Sequence, residues 1–463
     1  MMSPDAGDLD EVRRRGTFLL RSVEDQLLAL SALEYPTSSP LRFIGYLKRL
    51  VEGLRKLLEA DTNPETAKLV CRFVTDLGSH VRFLESASYP RVPWAVISPM
   101  EKLIRAIVPT AEIVLRSQWS WNYRIRQMSV RYQEALDALP RHYFTDSVFS
   151  ENEPAWNVVS LPRIDSGNVL MHVILGHEVG HRIADRFLEQ EDWPAIQKEI
   201  VDLVGNGKWA EPDIDNLNPL RAMVVKNRVF KRIDNIRVGG IQELVSDIVG
   251  LQLFGPSLLF ALRESSIDDA LDGLPAADSY HPPWRYRYRS VLKEFTRQGY
   301  TELFGSLTGS RIVERVRDRC AEHIARLAAF AREQSDLVAI QEDEYTKRAY
   351  ALIDAVAGAM PAFVERELGA LVFDRSDFKA KLEELLGLLE LGIPPISKAL
   401  PRGDFRYAIL AGWCGRIAQL SFDPDGEWGV EDDITLHRLV HKALEYANVT
   451  EEYDAWRRGR EGG

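Results

Sequence analysis

Residues 177–181 read His177-Glu178-Val179-Gly180-His181. Two histidines four positions apart lie on one face of a helix, where both imidazoles can bind the same metal ion. The glutamate directly after the first histidine is in the position from which it takes a proton from water held by that ion. The pattern predicts a helix that carries a zinc site with hydrolytic chemistry.

The residues around this pattern favour a buried helix. Leu170, Val173 and Ile174 precede it at helical spacing, which is typical of a helix that faces the core. Further upstream, residues 155–161 are rich in strand-forming side chains and stop at Pro162, which a strand tolerates only at an edge, a bulge or an end, so we predict a strand there. As an edge strand, residues 156–161 could pair with a substrate backbone. The alternative is a structural helix whose histidines are satisfied core residues.

A zinc site with an open position needs a third protein ligand, and residues 239–254 offer one. This stretch is an apolar helical pattern in which Glu243 and Asp247 lie four residues apart on one face. Burying carboxylates is costly unless a cation or hydrogen-bond donors compensate them. We therefore predict Glu243 as the third ligand and Asp247 as the acceptor that orients a ligand histidine, His177. The alternative is a pair of acids on a solvated helix face.

A third element follows at residues 279–287. Peptide hydrolysis builds negative charge on the carbonyl oxygen, and a hydrogen-bond donor near the zinc ion stabilises that charge. Tyr280 and His281 are the candidates for this donor, and Arg287 follows about two helical turns later. The proline pair after His281 predicts a rigid start to the next helix. The alternative is that this segment is only a helix start.

On these residues the chain resembles the gluzincin metallopeptidases, in particular the branch that contains the CAAX prenyl proteases and the bacterial heat-shock-type membrane metalloproteases. The resemblance covers about residues 150–295 and is carried by Gly176-His-Glu-Val-Gly-His181, Glu243-Leu-Val-Ser-Asp247 and His281-Pro-Pro-Trp-Arg-Tyr-Arg287. It implies a zincin-like metallopeptidase core.

The resemblance also implies a role for each matching residue. His177, His181 and Glu243 would bind one zinc ion. Glu178 would be the general base. His281 and Arg287 would stabilise the transition state or bind the substrate. A second histidine pair, His437 and His441, has the same spacing but lacks a glutamate after its first member, so we expect a solvated helix face there.

Composition limits the class of protein. The chain has 463 residues, of which 45% are hydrophobic and 27% charged, as in a soluble globular protein of two or three domains. Its net charge of −11 argues against nucleic-acid binding, which needs a surplus of cationic side chains. The relatives named above are embedded in membranes, but the longest apolar run here, residues 248–262, is too short to span a bilayer. With an acidic N-terminus in place of a signal peptide, we predict a cytoplasmic protein.

The predicted fold class is mainly α with a small β-sheet. Residues 1–135 are expected to form an N-terminal helical bundle, 136–300 the zincin-like core and 301–463 a C-terminal helical region. Helix starts are predicted at Ser39-Pro40, Asn63-Pro64 and Ser98-Pro99, with helices over residues 19–33, 67–84, 103–115, 312–330, 378–391 and 434–446. A turn-rich insertion over residues 205–219 is expected to overhang the cleft.

Together these patterns predict a zinc-dependent metalloendopeptidase that cleaves a peptide or protein substrate through a zinc-activated water, with a Glu general base. Two alternatives remain open. The first is a non-catalytic, zinc-stabilised helical interaction protein. The second is a latent peptidase that is released when a regulatory partner binds the helical regions.

Overall fold

The computed structural model of the protein describes residues 4–61, 63–89, 92, 94–119, 123–144, 155–191, 193–206, 219–266, 281–333, 336, 340, 344–397, 404–422 and 426–461. These residues are mainly helical and include one three-stranded sheet, so the predicted fold class, mainly α with a small β-sheet, is confirmed. The chain divides into two compact units, Met1–His172 and Val173–Gly463. The three regions expected from the sequence, residues 1–135, 136–300 and 301–463, stay a prediction.

The first unit contains long helices whose apolar stripes face a common core. Its helices are α1 (Pro4–Ser31), α2 (Ser39–Ala60), α3 (Pro64–Ser86), α4 (Trp94–Ile107) and α5 (Met128–Asp137). In α2, for example, Leu47, Leu50 and Leu54 recur at helical spacing and are all buried. The predicted start of α3 is confirmed, because the Asn63 side chain accepts a hydrogen bond from the Glu65 N–H at 2.9 Å.

Two helix predictions in this unit are wrong. Pro99 lies inside α4, which begins one turn earlier because the buried apolar residues 95–97 extend the helix upstream of the Ser98-Pro99 pair. The helix predicted over residues 103–115 ends at Ile107, and a strand begins at Ala111. The stretch from Ile113 to Leu115 is apolar in either conformation, so its hydrophobicity did not distinguish strand from helix.

The sheet consists of β1 (Ala111–Gln118), β2 (Arg124–Gln127) and β3 (Ala155–Pro162) in the order β1-β3-β2. β3 runs parallel to β1 and antiparallel to β2, so it has a neighbour on each side. The predicted edge strand at residues 155–161, and the substrate pairing attached to it, are therefore wrong. Pro162 is tolerated because it is the last residue of its strand.

The second unit is helical in all its described elements. They are α6 (Ile174–Glu189), α7 (Trp193–Asn206), α8 (Pro219–Phe254), α9 (Pro256–Ser265), α10 (Trp284–Arg297), α11 (Tyr300–Gly305), α12 (Arg311–Arg332), α13 (Glu344–Ala357), α14 (Met360–Leu368), α15 (Phe378–Glu390), α16 (Arg406–Ile417) and α17 (Val430–Glu461). The predicted helices near residues 312–330, 378–391 and 434–446 correspond to α12, α15 and α17. Of the turn-rich insertion, residues 207–218 lie outside the described residues.

Within the described parts of the chain, no helix combines the length and apolar character needed to cross a membrane. The apolar run over residues 248–262 belongs to two helices. Gly255, which has a positive φ of 59°, separates α8 from α9.

Helices α6 and α8 approach each other closely because glycines line the contact. A Cβ atom added to Gly180 would lie 2.5 Å from the Cα atom of Ser246 on α8. One added to Gly176 would lie 2.7 Å from the Phe254 ring. Gly250, on α8, is similarly close to the backbone N–H of His177, where a Cβ atom would lie 3.2 Å away. Gly176 and Gly180 are four residues apart, so they form one small-residue face that allows the two backbones to come together.

We expect Gly180→Ala to destabilise the protein by roughly 1–3 kcal/mol or more. The new methyl group would clash with the backbone of α8, which cannot move aside by changing rotamer as a side chain can. Urea unfolding followed by circular dichroism measures the effect. The matched control is Gly387→Ala in α15, where a Cβ atom meets nothing within 4 Å; there helix propensity should raise stability by up to about 1 kcal/mol. Equal unfolding midpoints for the two variants would contradict the close contact.

Candidate metal centre

Three helices of the second unit contribute to the predicted site. α6 carries His177 and His181 one turn apart, α8 carries Glu243 and Asp247, and α10 carries Arg287. His177, Glu243, Asp247 and Arg287 are buried, whereas His181 is partly exposed. The glycine contact between α6 and α8 sets the distance between the histidine face and the carboxylate face.

The donor atoms of His177, His181 and Glu243 all lie within 4.8 Å of one another. His177 Nε2 is 3.5 Å from Glu243 Oε2, and His181 Nε2 is 3.8 Å from Glu243 Oε1. Ligands bound at 2.0–2.2 Å in a tetrahedral shell lie roughly 3.3–3.6 Å apart. The 3.5 Å distance lies in this range and the 3.8 Å distance is slightly longer, so the three donors could hold a metal ion. They are spaced too widely for good hydrogen bonds with each other.

Asp247 orients one of these histidines. His177 Nδ1 and Asp247 Oδ1 are 2.8 Å apart, and both side chains are buried. When Nδ1 carries the proton and donates it to the carboxylate, the Nε2 lone pair is directed at Glu243 and at the space between the three donors. The sequence analysis predicted this pairing, and the structure places the two groups in hydrogen-bond contact.

Arg287 links the two carboxylates of α8. It donates from Nε to Asp247 Oδ2 at 2.8 Å and from Nη2 to Asp247 Oδ1 at 2.7 Å. Its Nη1 lies 3.0 Å from Glu243 Oε2, and its Cζ lies 4.4 Å from the centre of the Trp284 ring. A role for Arg287 in transition-state or substrate binding stays a prediction. Its contacts favour a different role, in which it holds Glu243 and Asp247 in place.

These contacts shift the ionisation of the site. Burial alone would raise the pKa of Glu243 and of Asp247, but the charge of Arg287 holds the pKa of both carboxyls below the usual range. Burial, together with the charge of His177, lowers the pKa of His181 to about 4. His181 is therefore neutral near pH 7, the state in which an imidazole binds metal. Burial opposes protonation of His177 as well, yet the hydrogen bond and charge of Asp247 raise its pKa overall.

The remaining predicted residues have different positions. Glu178 follows His177 on α6 and is partly exposed. His281 is 68% exposed, and its Nδ1 lies 2.9 Å from Glu243 Oε1, a hydrogen bond that raises the pKa of His281. Tyr280 lies outside the described residues. Glu178 and His281 are thus accessible to solvent, unlike Glu243 and Asp247.

The second histidine pair has different surroundings. The His437 side chain is only 12% exposed, and its Nε2 lies 3.8 Å from Asp433 Oδ2. The prediction of a solvated helix face is therefore wrong for this residue. His441 is 32% exposed and lies 3.5 Å from Glu445. Neither histidine belongs to a group of three potential metal ligands in the part of the chain that the structure describes.

Two features of the site were missed in the sequence. One is the ion pair of Arg287 with Glu243 and Asp247. Arg287 is 40 residues from Asp247 in sequence, and helical spacing rules do not predict a contact over that separation. The other is the glycine face of α6, for which a signal was present: Gly176 and Gly180 stand four residues apart within the histidine motif.

The chain was also compared with known proteins. No protein-family model matches it, and no match was found among the curated proteins or the solved structures. The geometry of the site is therefore the basis on which a function is proposed below.

We expect Arg287→Gln to lower the free energy of unfolding of EDTA-treated protein by about 3–5 kcal/mol, because it leaves two buried carboxylates without their cation. Urea unfolding in EDTA measures this. Lys293→Gln, an exposed cation on the same helix, is the matched control and should change stability by less than about 0.5 kcal/mol. If Arg287→Gln were as stable as this control, the burial of Glu243 and Asp247 would not require the positive charge of Arg287.

Proposed function

We propose that the protein is a zinc-dependent metallopeptidase with a gluzincin-type site. The observation that carries the proposal is the convergence of His177, His181 and Glu243, whose donor atoms lie within 4.8 Å of one another. Two imidazoles and one carboxylate are a ligand set used by catalytic zinc sites, which leave one coordination position for water or substrate. The motif glutamate, Glu178, supports hydrolysis over a purely structural role, because a structural site needs no base.

Each residue of the site has a separate role in the proposed hydrolysis. His177, His181 and Glu243 would hold the ion, with Asp247 fixing the orientation of His177. When bound, zinc supplies a Lewis acid that polarises the scissile carbonyl and lowers the pKa of its water towards ~7. Glu178 accepts the proton of the attacking water and passes it to the leaving amine.

His281 is the candidate donor to the carbonyl oxygen. Its side chain is exposed, and its Nδ1 is anchored to Glu243 Oε1 at 2.9 Å, which leaves Nε2 as its second donor position. A donor fixed in this way needs little reorganisation when charge develops on the oxygen. Arg287 contributes indirectly. It is a positioning residue that holds Glu243 and Asp247 as ionised carboxylates.

A second candidate function is that of a zinc-stabilised interaction protein without catalysis. The buried network of Arg287, Asp247 and Glu243 favours it, because such a network would stabilise a structural site equally well. A metallopeptidase loaded with zinc would cleave peptides, whereas a zinc-stabilised interaction protein would not. A latent peptidase would cleave peptides only after removal of the N-terminal helices or binding of a partner.

Glu178→Gln should retain zinc and abolish peptide cleavage, because the amide cannot accept a proton while all three ligands remain. Zinc content is measured by elemental analysis and activity with a fluorogenic peptide library. Glu189→Gln makes the same chemical change at the exposed end of α6 and should keep both zinc and activity. Full activity in Glu178→Gln would refute the assigned base. Zinc binding without turnover in every form of the protein would favour the interaction protein.

Glu243→Ala should bind no stoichiometric zinc, because it removes the ligand shared by both histidines. Asp247→Asn keeps all three ligands and should weaken zinc binding by about 10–100-fold, as expected for loss of the group that orients a ligand imidazole. Competition with a chelating dye measures both affinities. His441→Ala, in the second histidine pair, is the control and should bind zinc like the wild type. Unchanged zinc binding in Glu243→Ala would place the third ligand elsewhere.

A further inference from the structure

A cavity of about 280 Å³ lies among three helices of the second unit. Its lining side chains come from α9, α12 and α16, together with Gln419, which follows α16. Phe260, Trp413 and Ile417 form the apolar part of the lining, and the charged part contains, among the described residues, four arginines, one histidine and one glutamate. None of these residues belongs to the candidate metal centre. The volume is close to the lower end of the range for small-molecule sites, so the cavity suits a compact ligand.

Three of the four arginines already have carboxylate partners. Two arginines of α12 share one acid on their own helix, and the arginine of α16 pairs with one acid on α9 and one on α17. These ion pairs are Arg319–Glu322 at 3.2 Å, Arg326–Glu322 at 3.2 Å, Arg416–Glu264 at 2.5 Å and Arg416–Asp433 at 3.1 Å. Three carboxylates thus accompany these three guanidinium groups, which do not need an external anion.

The fourth arginine, Arg263 of α9, differs from the others. It is partly buried, and among the residues that the structure describes its guanidinium group forms no hydrogen bond or ion pair. Burial, together with the charges of Arg326 and Arg263, lowers the pKa of His323 to about 4, so this histidine is neutral near pH 7 and adds no charge. Arg263 therefore gives the cavity one positive charge that no described carboxylate accompanies. A partly buried cation of this kind is stabilised when an anion binds beside it.

His323 supplies a second polar group that the protein leaves unsatisfied. Its Nε2 atom is buried, and it makes no hydrogen bond with the described residues. The imidazole packs edge-on against Phe260, with the two ring centres 5.6 Å apart. Buried polar atoms in proteins are nearly always hydrogen-bonded, so an unsatisfied nitrogen close enough to Arg263 to feel its charge indicates a polar group of a ligand. A neutral imidazole with its proton on Nε2 can donate to an anion.

We propose that this cavity binds a small organic monocarboxylate with an apolar body. The carboxylate accepts hydrogen bonds from the Arg263 guanidinium group and from His323 Nε2–H. The apolar body contacts Phe260, Trp413 and Ile417. A monocarboxylate matches the single positive charge of Arg263, whereas a phosphate monoester, with close to two negative charges, would bring one charge too many.

The proposal is tested by isothermal titration calorimetry on the full chain with phenylacetate as the probe. EDTA is present throughout, so that the carboxylate cannot bind a metal ion at the candidate metal centre, and sodium chloride keeps the ionic strength constant. Wild-type protein should bind phenylacetate, and Arg263→Gln should bind it roughly tenfold or more weakly, as expected for loss of a charge-assisted hydrogen bond. The control Arg315→Gln, which changes an exposed arginine of α12 outside the cavity lining, should bind like the wild type. Uncharged 2-phenylethanol should bind the wild type more weakly than phenylacetate.

A second variant tests the site through stability. His323→Phe keeps a ring against Phe260 and removes the unsatisfied Nε2, so without ligand it should melt at the wild-type temperature or above. Phenylacetate should then raise its melting temperature less than that of the wild type. The proposal is overturned if phenylacetate does not bind the wild type, if it binds Arg263→Gln and wild type equally, or if it stabilises His323→Phe and wild type equally. It is also overturned if inorganic phosphate or 2-phenylethanol binds as tightly as phenylacetate.

Discussion

The candidate metal centre depends on the burial of two carboxylates on one face of α8. Glu243 and Asp247 remain ionised in the protein interior only because cations and donors surround them. Arg287 supplies one full positive charge to the pair. When His177, His181 and His281 are all neutral, these side chains leave one negative charge uncompensated, and the raised pKa values of His177 and His281 reflect this demand for positive charge. A divalent ion between His177, His181 and Glu243 would meet that demand and leave both imidazoles neutral.

This charge arrangement depends on the close approach of two helices. The imidazoles extend from α6 and the carboxylates from α8, so the gap between the two backbones sets the distances from the imidazoles to the carboxylates. Gly176 and Gly180 remove the side chains that would widen the gap, and the nearest atoms of α8 then occupy the space. The motif Gly-His-Glu-Val-Gly-His thus carries two patterns on neighbouring faces of one helix. One face provides the ligands, and the other provides the contact that positions them.

The helical spacing of the candidate residues could be predicted from the sequence, whereas the order of the strands could not. The structure brings His177, His181 and Glu243 together because residues four apart share a helix face, and a linear pattern retains that spacing. Strand order leaves no such trace, because β3 pairs with β1, whose apolar residues are equally compatible with a helix, and with β2, which has a single apolar residue. The contact of Arg287 with Asp247 was missed for a related reason: an ion pair between two helices depends on their packing, and the sequence carries no periodicity for it.

The candidate metal centre differs from the ion-pair cluster around Glu112 in how its charge is compensated. Buried acids and imidazole nitrogens converge there, and Arg287 offsets only part of the negative charge. Around Glu112 the chain compensates charge with its own side chains, because this carboxylate forms ion pairs with both Arg42 and Arg105. Like charges that the fold brings together without full compensation are the physical ground on which we propose that a cation binds His177, His181 and Glu243.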